Sequence, residues 1–495
     1  MYLRLCIAVS LAEVCAIAQS LGTVTPTGSL GMPREGHTAT LLTNGEVLIA
    51  GGSAIQPGWP VWASAELYSS LAGTFRPIPG SMTAPRSGHT ATLLPDGRVL
   101  IVGGDRSFGG ATGASSQASA ELYDPSTQAF TETGAMITAR TYHTATLLPD
   151  GRVLIAGGEN FNEKGEQTSL GSAELYDPST GKFTATGRMT AARSFFTATL
   201  LTSGKVLVSG YFDYDNPDSD VLEHAELYDP VTGAFSLTGE AAYPEYALRI
   251  ASSSLLTNGD VLNTLEDQCD PDDLTELYHP STGTFDRGAK TSVSRGNTKA
   301  AVLPDGKVLL AGGDYSTHQF PYASAELYDP ATGVFSTPIP TDSGGGHTAT
   351  LLQDGTVLLA GGWVCCGQTI SNAEIYRPAI LTPPPVLLTV GDSLQGAVLH
   401  ATTHQLVSLP DNPATAGEAL EIYLTGLIDG AVIPPQGIVE GHLAEVLYFG
   451  KAPGYDSLNQ INIRLPSGLF PGPHTTSLRL GYLGRSSNDV TLGVE

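Results

Sequence analysis

The sequence predicts an all-β protein: a closed ring of seven four-stranded sheets, or blades, followed by a β-sandwich. Three observations support this fold class: a unit that recurs seven times, tight-turn dipeptides at fixed places within it, and a composition rich in turn residues. Of the 495 residues, 58 are Gly and 33 are Pro, and only 15% are charged. Such a composition is typical of short strands joined by turns and disfavours a helical bundle.

The recurring unit is clearest between Arg140 and Phe183, where Arg-Thr-Tyr-His-Thr-Ala-Thr-Leu-Leu begins it and Ala-Glu-Leu-Tyr-Asp-Pro follows. The position of His143 recurs at residues 37, 89, 143, 196, 251, 298 and 347, so that successive units are 47–55 residues apart. Seven units with a period of about 50 residues indicate a seven-bladed β-propeller.

Each unit divides into four strands by local sequence. His-Thr-Ala-Thr-Leu-Leu predicts the innermost strand, which ends at a dipeptide such as Asp150-Gly151 that tolerates the positive φ angles of a type I′ turn. The second strand closes with a pair such as Gly157-Gly158, where the missing Cβ permits close backbone approach. Ala-Glu-Leu-Tyr predicts the third strand, and a turn then leads to an outer strand that carries Phe.

The last unit has no outer strand of its own, because it ends at Tyr376-Arg377-Pro378. Residues 23–25 precede Arg34 at the spacing that the missing strand would have. We therefore expect this N-terminal strand to complete the seventh blade and to close the ring by strand pairing.

The Arg-x-x-His, Gly-Gly and Glu-x-Tyr-Asp-Pro spacing resembles the kelch repeat family over residues 22–378. That resemblance implies a seven-bladed kelch β-propeller. The fifth unit carries Leu265-Glu266 in place of Gly-Gly, but it keeps Asn258-Gly259 and Phe285 and is counted as a blade.

The repeats stop at Pro378, and residues 379–385 form a Pro-rich linker. Residues 386–495 contain short alternating segments such as 419–424, 444–449, 460–465 and 477–482, which predict an Ig-like β-sandwich. This segment resembles a C-terminal β-sandwich module of bacterial secreted proteins.

Residues 1–18 have the features of a secretory signal peptide, because Arg4 precedes an apolar run and Ala16 and Ala18 form a small-x-small cleavage site. No later stretch reaches the roughly 18–20 apolar residues of a membrane span. We expect an exported monomer, extracellular or at the cell surface, without membrane insertion. The net charge of −25 argues against nucleic acid as a partner, since nucleic acids select basic surfaces.

The loops that follow Gly-Gly differ from blade to blade and open opposite the Asp-Gly corners. Variable loops on a rigid scaffold commonly carry binding, and aromatic side chains suit stacking on a sugar or contact with a protein. The alternative is that these rings pack on one another or on the C-terminal domain. The candidate ligand-binding face comprises Trp59, Trp62, Phe108, Phe161, Tyr211, Phe212, Tyr315, Phe320, Tyr322 and Trp363.

Four aspartates of the blade-four loop are a candidate calcium site, because carboxylate oxygens are the ligands that Ca²⁺ prefers. They are Asp213, Asp215, Asp218 and Asp220. Their spacing is not that of an EF-hand loop, and a solvated acidic loop is the alternative. No other cofactor is expected.

The histidine that begins the inner strand recurs in four units, whereas Phe196, Ala251 and Thr298 replace it in the others. A shared metal site would not tolerate those residues, so we expect each histidine to satisfy local backbone groups. The arginine three residues earlier is expected to pair with the Glu of the third strand.

Tyr142-His143 also resembles the copper-ligand segment of the galactose oxidase family, which combines a seven-bladed kelch propeller with a C-terminal sandwich. By that resemblance both residues would be copper ligands. The family carries this segment in its last blade, where this chain has Gly346-His347, and it requires a Cys–Tyr crosslink that Cys269 does not match.

These observations favour a non-catalytic propeller that binds an extracellular carbohydrate or protein through the loops after each Gly-Gly. A copper radical oxidase and a structural surface protein remain as alternatives.

Overall fold

The computed structural model describes residues 21–55, 59–107, 115–162, 164–210, 224–243, 249–266, 274–293, 295–313, 323–342, 344–364, 368–391, 393–427, 433–455, 457–466, 472–483 and 485–495. Throughout these ranges the secondary structure is β and no helix occurs, which confirms the predicted fold class. Correspondingly, this part of the chain has no helix with the length and hydrophobicity to cross a membrane.

The first strand in the chain, β1 (Thr23–Pro26), belongs to the last blade. Blades one and two are formed by β2 (Thr38–Leu41), β3 (Val47–Ala50), β4 (Ser64–Ser69) and β5 (Thr74–Ser81), and by β6 (Thr90–Leu93), β7 (Val99–Val102), β8 (Ala120–Asp124) and β9 (Ala129–Glu132). Blade three contains β10 (Thr144–Leu147), β11 (Val153–Ala156), the accessory hairpin β12 (Glu159–Phe161) and β13 (Gln167–Ser169), β14 (Ala173–Asp177) and β15 (Lys182–Ala185).

Blades four and five are formed by β16 (Thr197–Leu200), β17 (Val206–Ser209), β18 (His224–Asp229) and β19 (Ala234–Glu240), and by β20 (Arg249–Leu255), β21 (Val261–Glu266), β22 (Thr275–His279) and β23 (Thr284–Arg287). Blade six contains β24 (Lys299–Val302), β25 (Val308–Ala311), β26 (Ser324–Asp329), and an outer strand divided into β27 (Val334–Phe335) and β28 (Ile339–Pro340). Blade seven contains β29 (Thr348–Leu351), β30 (Val357–Ala360), the accessory hairpin β31 (Trp363–Val364) and β32 (Gln368–Thr369), and β33 (Ala373–Arg377).

The inner strands establish that seven blades form one closed ring. Each contacts the inner strand of the next blade along the chain, and β29 of blade seven contacts β2 of blade one. The N-terminal strand β1 is the outer strand of blade seven, where Thr23 pairs with Arg377 and Pro26 with Glu374. Closure by an N-terminal strand, predicted from residues 23–25, is therefore observed.

The apolar core lies between neighbouring blades. Every residue of the second strand is buried in most blades, as in the Val-Leu-Ile-Ala of β3 and β11. Side chains from adjacent blades share a cluster, for example Leu48 of blade one with Val99 and Tyr123 of blade two. Each such contact removes apolar surface from water. This stabilises the ring by about 25 cal/mol for each Å² buried.

The predicted arginine–glutamate pairs are present in five blades and are buried. Arg86 Nη2 lies 2.8 Å from Glu121 Oε1, and both side chains have no solvent exposure. The equivalent pairs are Arg34–Glu66, Arg140–Glu174, Arg193–Glu226 and Arg295–Glu326. The second glutamate oxygen accepts a backbone N–H, as Glu121 does from Thr83 at 2.8 Å, so each pair anchors the loop that enters the inner strand.

The C-terminal domain consists of β34 (Val386–Leu387), β35 (Val398–His400), β36 (Ala419–Thr425), β37 (Gln436–Val439), β38 (His442–Lys451), β39 (Asn459–Arg464), β40 (His474–Tyr482), β41 (Arg485–Ser486) and β42 (Val490–Val494). The long strand β38 pairs with β39 in one sheet and with β37 in the other, so the two sheets share it. One apolar cluster, which includes Leu420, Ile461 and Leu478, fills the space between the sheets.

This domain contacts the propeller at the Asp-Gly corners. Leu443 N donates to Pro95 O (2.6 Å), Ser486 N donates to Gln353 O (3.1 Å), and Arg485 Nη1 donates to Asp354 O. These corners belong to blades two and seven. The contacts therefore lie at the opposite end of the channel from the Gly-Gly loops.

Candidate functional site

The residue that precedes the histidine position in each blade forms a ring at the Gly-Gly end of the channel, which we call the mouth ring. Its members are Gly36, Gly88, Tyr142, Phe195, Ile250, Asn297 and Gly346. Backbone hydrogen bonds join consecutive members, from Gly88 N to Gly36 O (3.1 Å) and from Tyr142 N to Gly88 O (3.0 Å).

Most of the mouth ring has left-handed backbone, with φ of +50° at Tyr142, +51° at Phe195 and +67° at Gly346. Glycine adopts this conformation freely, whereas an aromatic residue does so at a cost. Blades seven, one and two use glycine here, and neighbouring side chains lie against these glycines: the Tyr142 ring against Gly88 and the Trp363 indole against Gly346. Blades three and four use Tyr142 and Phe195 despite the strain, which marks this side as a functional candidate.

Tyr142 and Phe195 form a stacked pair at the mouth. Their ring centroids are 5.5 Å apart and the ring planes differ by 25°. The guanidinium of Arg249 lies 4.0 Å from the centroid of Phe195, which is cation–π geometry. Tyr142 keeps 39% of its surface exposed, so the stack presents an accessible aromatic face.

Trp363 approaches the mouth from blade seven. A Cβ at Gly345 or Gly346 would come within 2.7 Å or 2.9 Å of the indole, so the indole lies against the backbone of these two glycines. A hydrogen bond from Ile55 N to Thr369 Oγ1 (2.8 Å) ties the blade-one loop to the Trp363 hairpin. Blades seven and one thus present one connected surface on the glycine side of the mouth.

The other described members of the predicted face have different environments. Trp59 is 49% exposed and has φ of +45°, whereas Trp62 is half-buried and donates from Nε1 to Pro33 O at 3.1 Å. Phe161 is half-buried in β12, where its N–H donates to Ser116 Oγ at 3.0 Å. All of them are at the Gly-Gly end. Outside the described residues lie Phe108, Tyr211, Phe212, Tyr315, Phe320 and Tyr322.

Carboxylates from three blades surround the Tyr142 stack. Partial burial, together with the charges of Asp105, Glu159 and Glu35, raises the pKa of Tyr142 above its usual value. Burial also raises the pKa of Glu35 to about 7 and that of Asp105 to about 6. Asp105 accepts a hydrogen bond from Ser116 Oγ (3.1 Å), whereas Oε1 of Glu35 is buried without a hydrogen-bond partner among the described residues. The mouth therefore combines an aromatic face with carboxyl groups that exchange protons near neutral pH.

The histidines of blades one, two and three hydrogen-bond between blades. His143 Nε2 lies 2.9 Å from Thr90 Oγ1, and His89 Nε2 lies 3.1 Å from Thr38 Oγ1. The expectation that they bond backbone groups is wrong for His89 and His143, since the partner is the threonine hydroxyl of the preceding blade. Burial holds the pKa of His143 well below its usual value, so the imidazole is neutral.

His143 does not suit a copper site as it stands, because its ring is buried at the blade interface and Nε2 already has a hydroxyl partner. Across the described ranges, no group of three or more His, Cys, Asp or Glu side chains has an arrangement able to hold a metal ion. The calcium candidates Asp213, Asp215, Asp218 and Asp220 lie outside the described residues, as does Cys269.

Sequence reasoning missed Phe195, Arg249, Glu35, Asp105 and Glu159. The repeat itself contained the signal for Tyr142 and Phe195, because each stands where three other units have glycine. The carboxylates could not be found this way, since the positions after Arg and after Gly-Gly vary from blade to blade.

No protein-family model matches the chain. Galactose oxidase of Gibberella zeae is 26% identical to it over 352 residues, which cover 68% of this chain and 44% of that protein. An F-box/kelch-repeat protein of Arabidopsis thaliana is 34% identical over 86 residues, which cover 15% of this chain and 18% of that protein. The chain therefore spans less than half the length of these curated relatives.

Among solved structures, a fungal alcohol oxidase of the AA5 family in complex with copper superposes with a TM-score of 0.62. The sequence identity is 17%, and the match covers 96% of this chain and 99% of that one. A likeness at this identity shows the fold alone. The repeat pattern, the relatives and the architecture together identify a kelch/galactose oxidase-like seven-bladed β-propeller.

Proposed function

We propose that this protein is an exported, non-catalytic propeller that binds carbohydrate at the mouth ring. The observation that supports it best is the stack of Tyr142 on Phe195 in strained left-handed backbone, with 39% of the Tyr142 surface exposed. Aromatic faces suit the apolar faces of sugar rings, and strained residues concentrate at binding sites.

The polar groups around the stack suit a ligand rich in hydroxyls. Glu35, which is half-buried, offers a carboxyl group as acceptor and, when protonated, also as donor, whereas Asp105 is buried and bonds Ser116. Arg249 supplies a fixed set of donors over Phe195. A concave apolar surface with a few convergent polar groups is the usual form of a small-ligand site.

Glycan-array binding, followed by titration calorimetry, tests the proposal. Tyr142→Gly and Phe195→Gly introduce the residue that three other blades carry at this position, so the ring is expected to keep its fold. Each should weaken binding about tenfold or more, as loss of a stacking contact does. Arg464→Ala, a change on the exposed surface of the C-terminal domain, is the control. No glycan binding by folded wild-type protein would refute the proposal.

A copper radical oxidase is the second candidate, because relatives by sequence and by fold are named oxidases and Tyr142 lies at the mouth. Metal analysis of protein purified with copper, and an assay for peroxide release from primary alcohols, distinguish the two functions. Stoichiometric copper that is lost in Tyr142→Phe would favour the oxidase. Purified protein that contains no copper would instead favour glycan binding.

A further inference from the structure

The junction of blades seven and one, which we call the seam, is where the two ends of the repeat region meet. β1 crosses it from the blade-one side and pairs with β33. Tyr376 donates from its hydroxyl to Leu21 O at 2.8 Å and so holds the chain just before β1. At the corner end, Gln353 Nε2 of blade seven reaches Thr43 O of blade one at 3.4 Å.

The C-terminal domain crosses the same seam a second time. The chain leaves blade seven through β33, and the domain that follows returns to the corners on both sides of the seam. On the blade-seven side, Ser486 N donates to Gln353 O (3.1 Å) and Arg485 Nη1 donates to Asp354 O. On the far side, Leu443 N donates to Pro95 O of blade two (2.6 Å).

The packing on the far side is close. A Cβ at Gly97 of blade two would lie 2.7 Å from Gly441 O of the C-terminal domain. A Cβ at Gly441 would lie 3.6 Å from Thr43 Oγ1 of blade one. The domain thus touches blades seven, one and two.

We infer that the C-terminal domain is a second clasp of the propeller, which holds the seam closed from the corner end. For the seam to open, β1 must leave β33 and blade two must also leave a domain that is covalently attached to blade seven. While the pairing of β1 with β33 is intact, the C-terminal domain stays close to blade two, and while the domain contacts are intact, β1 stays close to β33. Either contact therefore lowers the entropic cost of forming the other again. This role is independent of what the mouth ring binds.

A pair of matched glycine substitutions tests the inference. Gly97 and Gly151 occupy the same corner in blades two and three with φ of +81° and +85°, so alanine causes similar backbone strain in both. They differ in what a Cβ meets, because at Gly151 the nearest atom is Pro95 Cγ at 3.6 Å. Gly97→Ala therefore disturbs the domain contact and Gly151→Ala does not.

Amide hydrogen exchange of the whole protein is the readout. In Gly97→Ala we expect exchange at Leu443 and throughout β1 and β33 to be about tenfold or more faster than in Gly151→Ala, because sub-global opening exposes the seam. Faster exchange at Leu443, with β1 and β33 at control rates, would overturn the inference.

A second pair keeps the test available if Gly97→Ala does not fold. Arg485→Ala removes the side chain that bonds Asp354, whereas Arg479→Ala removes one that pairs with Asp489 within the domain. Arg485→Ala should accelerate β1 exchange and Arg479→Ala should not. Equal exchange of β1 in the two variants would also contradict a clasp.

Discussion

The imidazole of His89 in blade two packs against the α-carbon of Gly51 in blade one: a Cβ at Gly51 would lie 2.6 Å from Cε1 of His89. Gly361 has the same relation to His37, and Gly103 has it to His143. Where blade five carries Leu265 in place of the first glycine, blade six carries Thr298 in place of the histidine. The first glycine of the pair therefore packs against the ring at the histidine position of the next blade, including Phe196, which lies 2.7 Å from a Cβ at Gly157.

Gly51→Ala should destabilise the protein by about 2–4 kcal/mol, because the methyl group meets the carbonyl oxygen of Arg86 and the His89 ring, and φ is unfavourable for alanine. Adding His89→Ala to Gly51→Ala should recover part of the loss, since the ring no longer blocks the methyl group. Urea unfolding of the two single variants and the double variant measures this coupling. Strict additivity would show that the two residues do not interact.

Arg86→Ala should destabilise the protein by about 3–5 kcal/mol, because Glu121 is left as a buried charge without its partner. Arg464, whose pair with Glu445 is about half exposed, provides the contrast. Arg464→Ala should cost about 1 kcal/mol or less. Urea unfolding midpoints compare the two, and similar losses would contradict a structural role for the buried pairs.

Most of the fold could be predicted because the repeat applies the same local physics seven times. Asp-Gly corners, Gly-Gly pairs and the missing outer strand of the last unit specified the blades and their closure. The docking of the C-terminal domain on Pro95 and Asp354 could not be predicted, because corner residues are alike in all blades. The sequence predicted a ligand-binding face of aromatic loops at the Gly-Gly end, and the stack of Tyr142 on Phe195 was not part of that prediction.

Thr90 and Thr144 occupy equivalent places but differ in their partners. Thr90 Oγ1 bonds His143 Nε2, whereas Thr144 Oγ1 is a buried atom without a hydrogen-bond partner among the described residues, because Phe196 replaces the histidine. Thr90→Val should cost about 1–2 kcal/mol and Thr144→Val should be neutral or stabilising. Thermal unfolding of both variants checks this, and equal destabilisation would show that the His–Thr bonds are unimportant.

Stability should decrease with rising pH because of Glu35. Its folded-state pKa of about 7 exceeds its usual value, so the unfolded chain releases this proton at lower pH than the folded one. The contribution of Glu35 to the free energy of unfolding is therefore most favourable below about pH 4 and is lost as the pH rises through about 7. Glu35→Gln should raise the Tm more at about pH 8 than at about pH 5. Glu445→Gln, which changes an exposed carboxylate, is the control. If the effect of Glu35→Gln on the Tm did not change with pH, the raised pKa of Glu35 would be contradicted.

The most direct test of carbohydrate binding at the mouth is a crystal structure with the best glycan from the array. The sugar should stack on Tyr142 and Phe195 beside Gly36 and Gly88, with Glu35 within hydrogen-bond distance of its hydroxyls. A sugar bound only at the Asp-Gly corners or on the C-terminal sandwich would contradict the account.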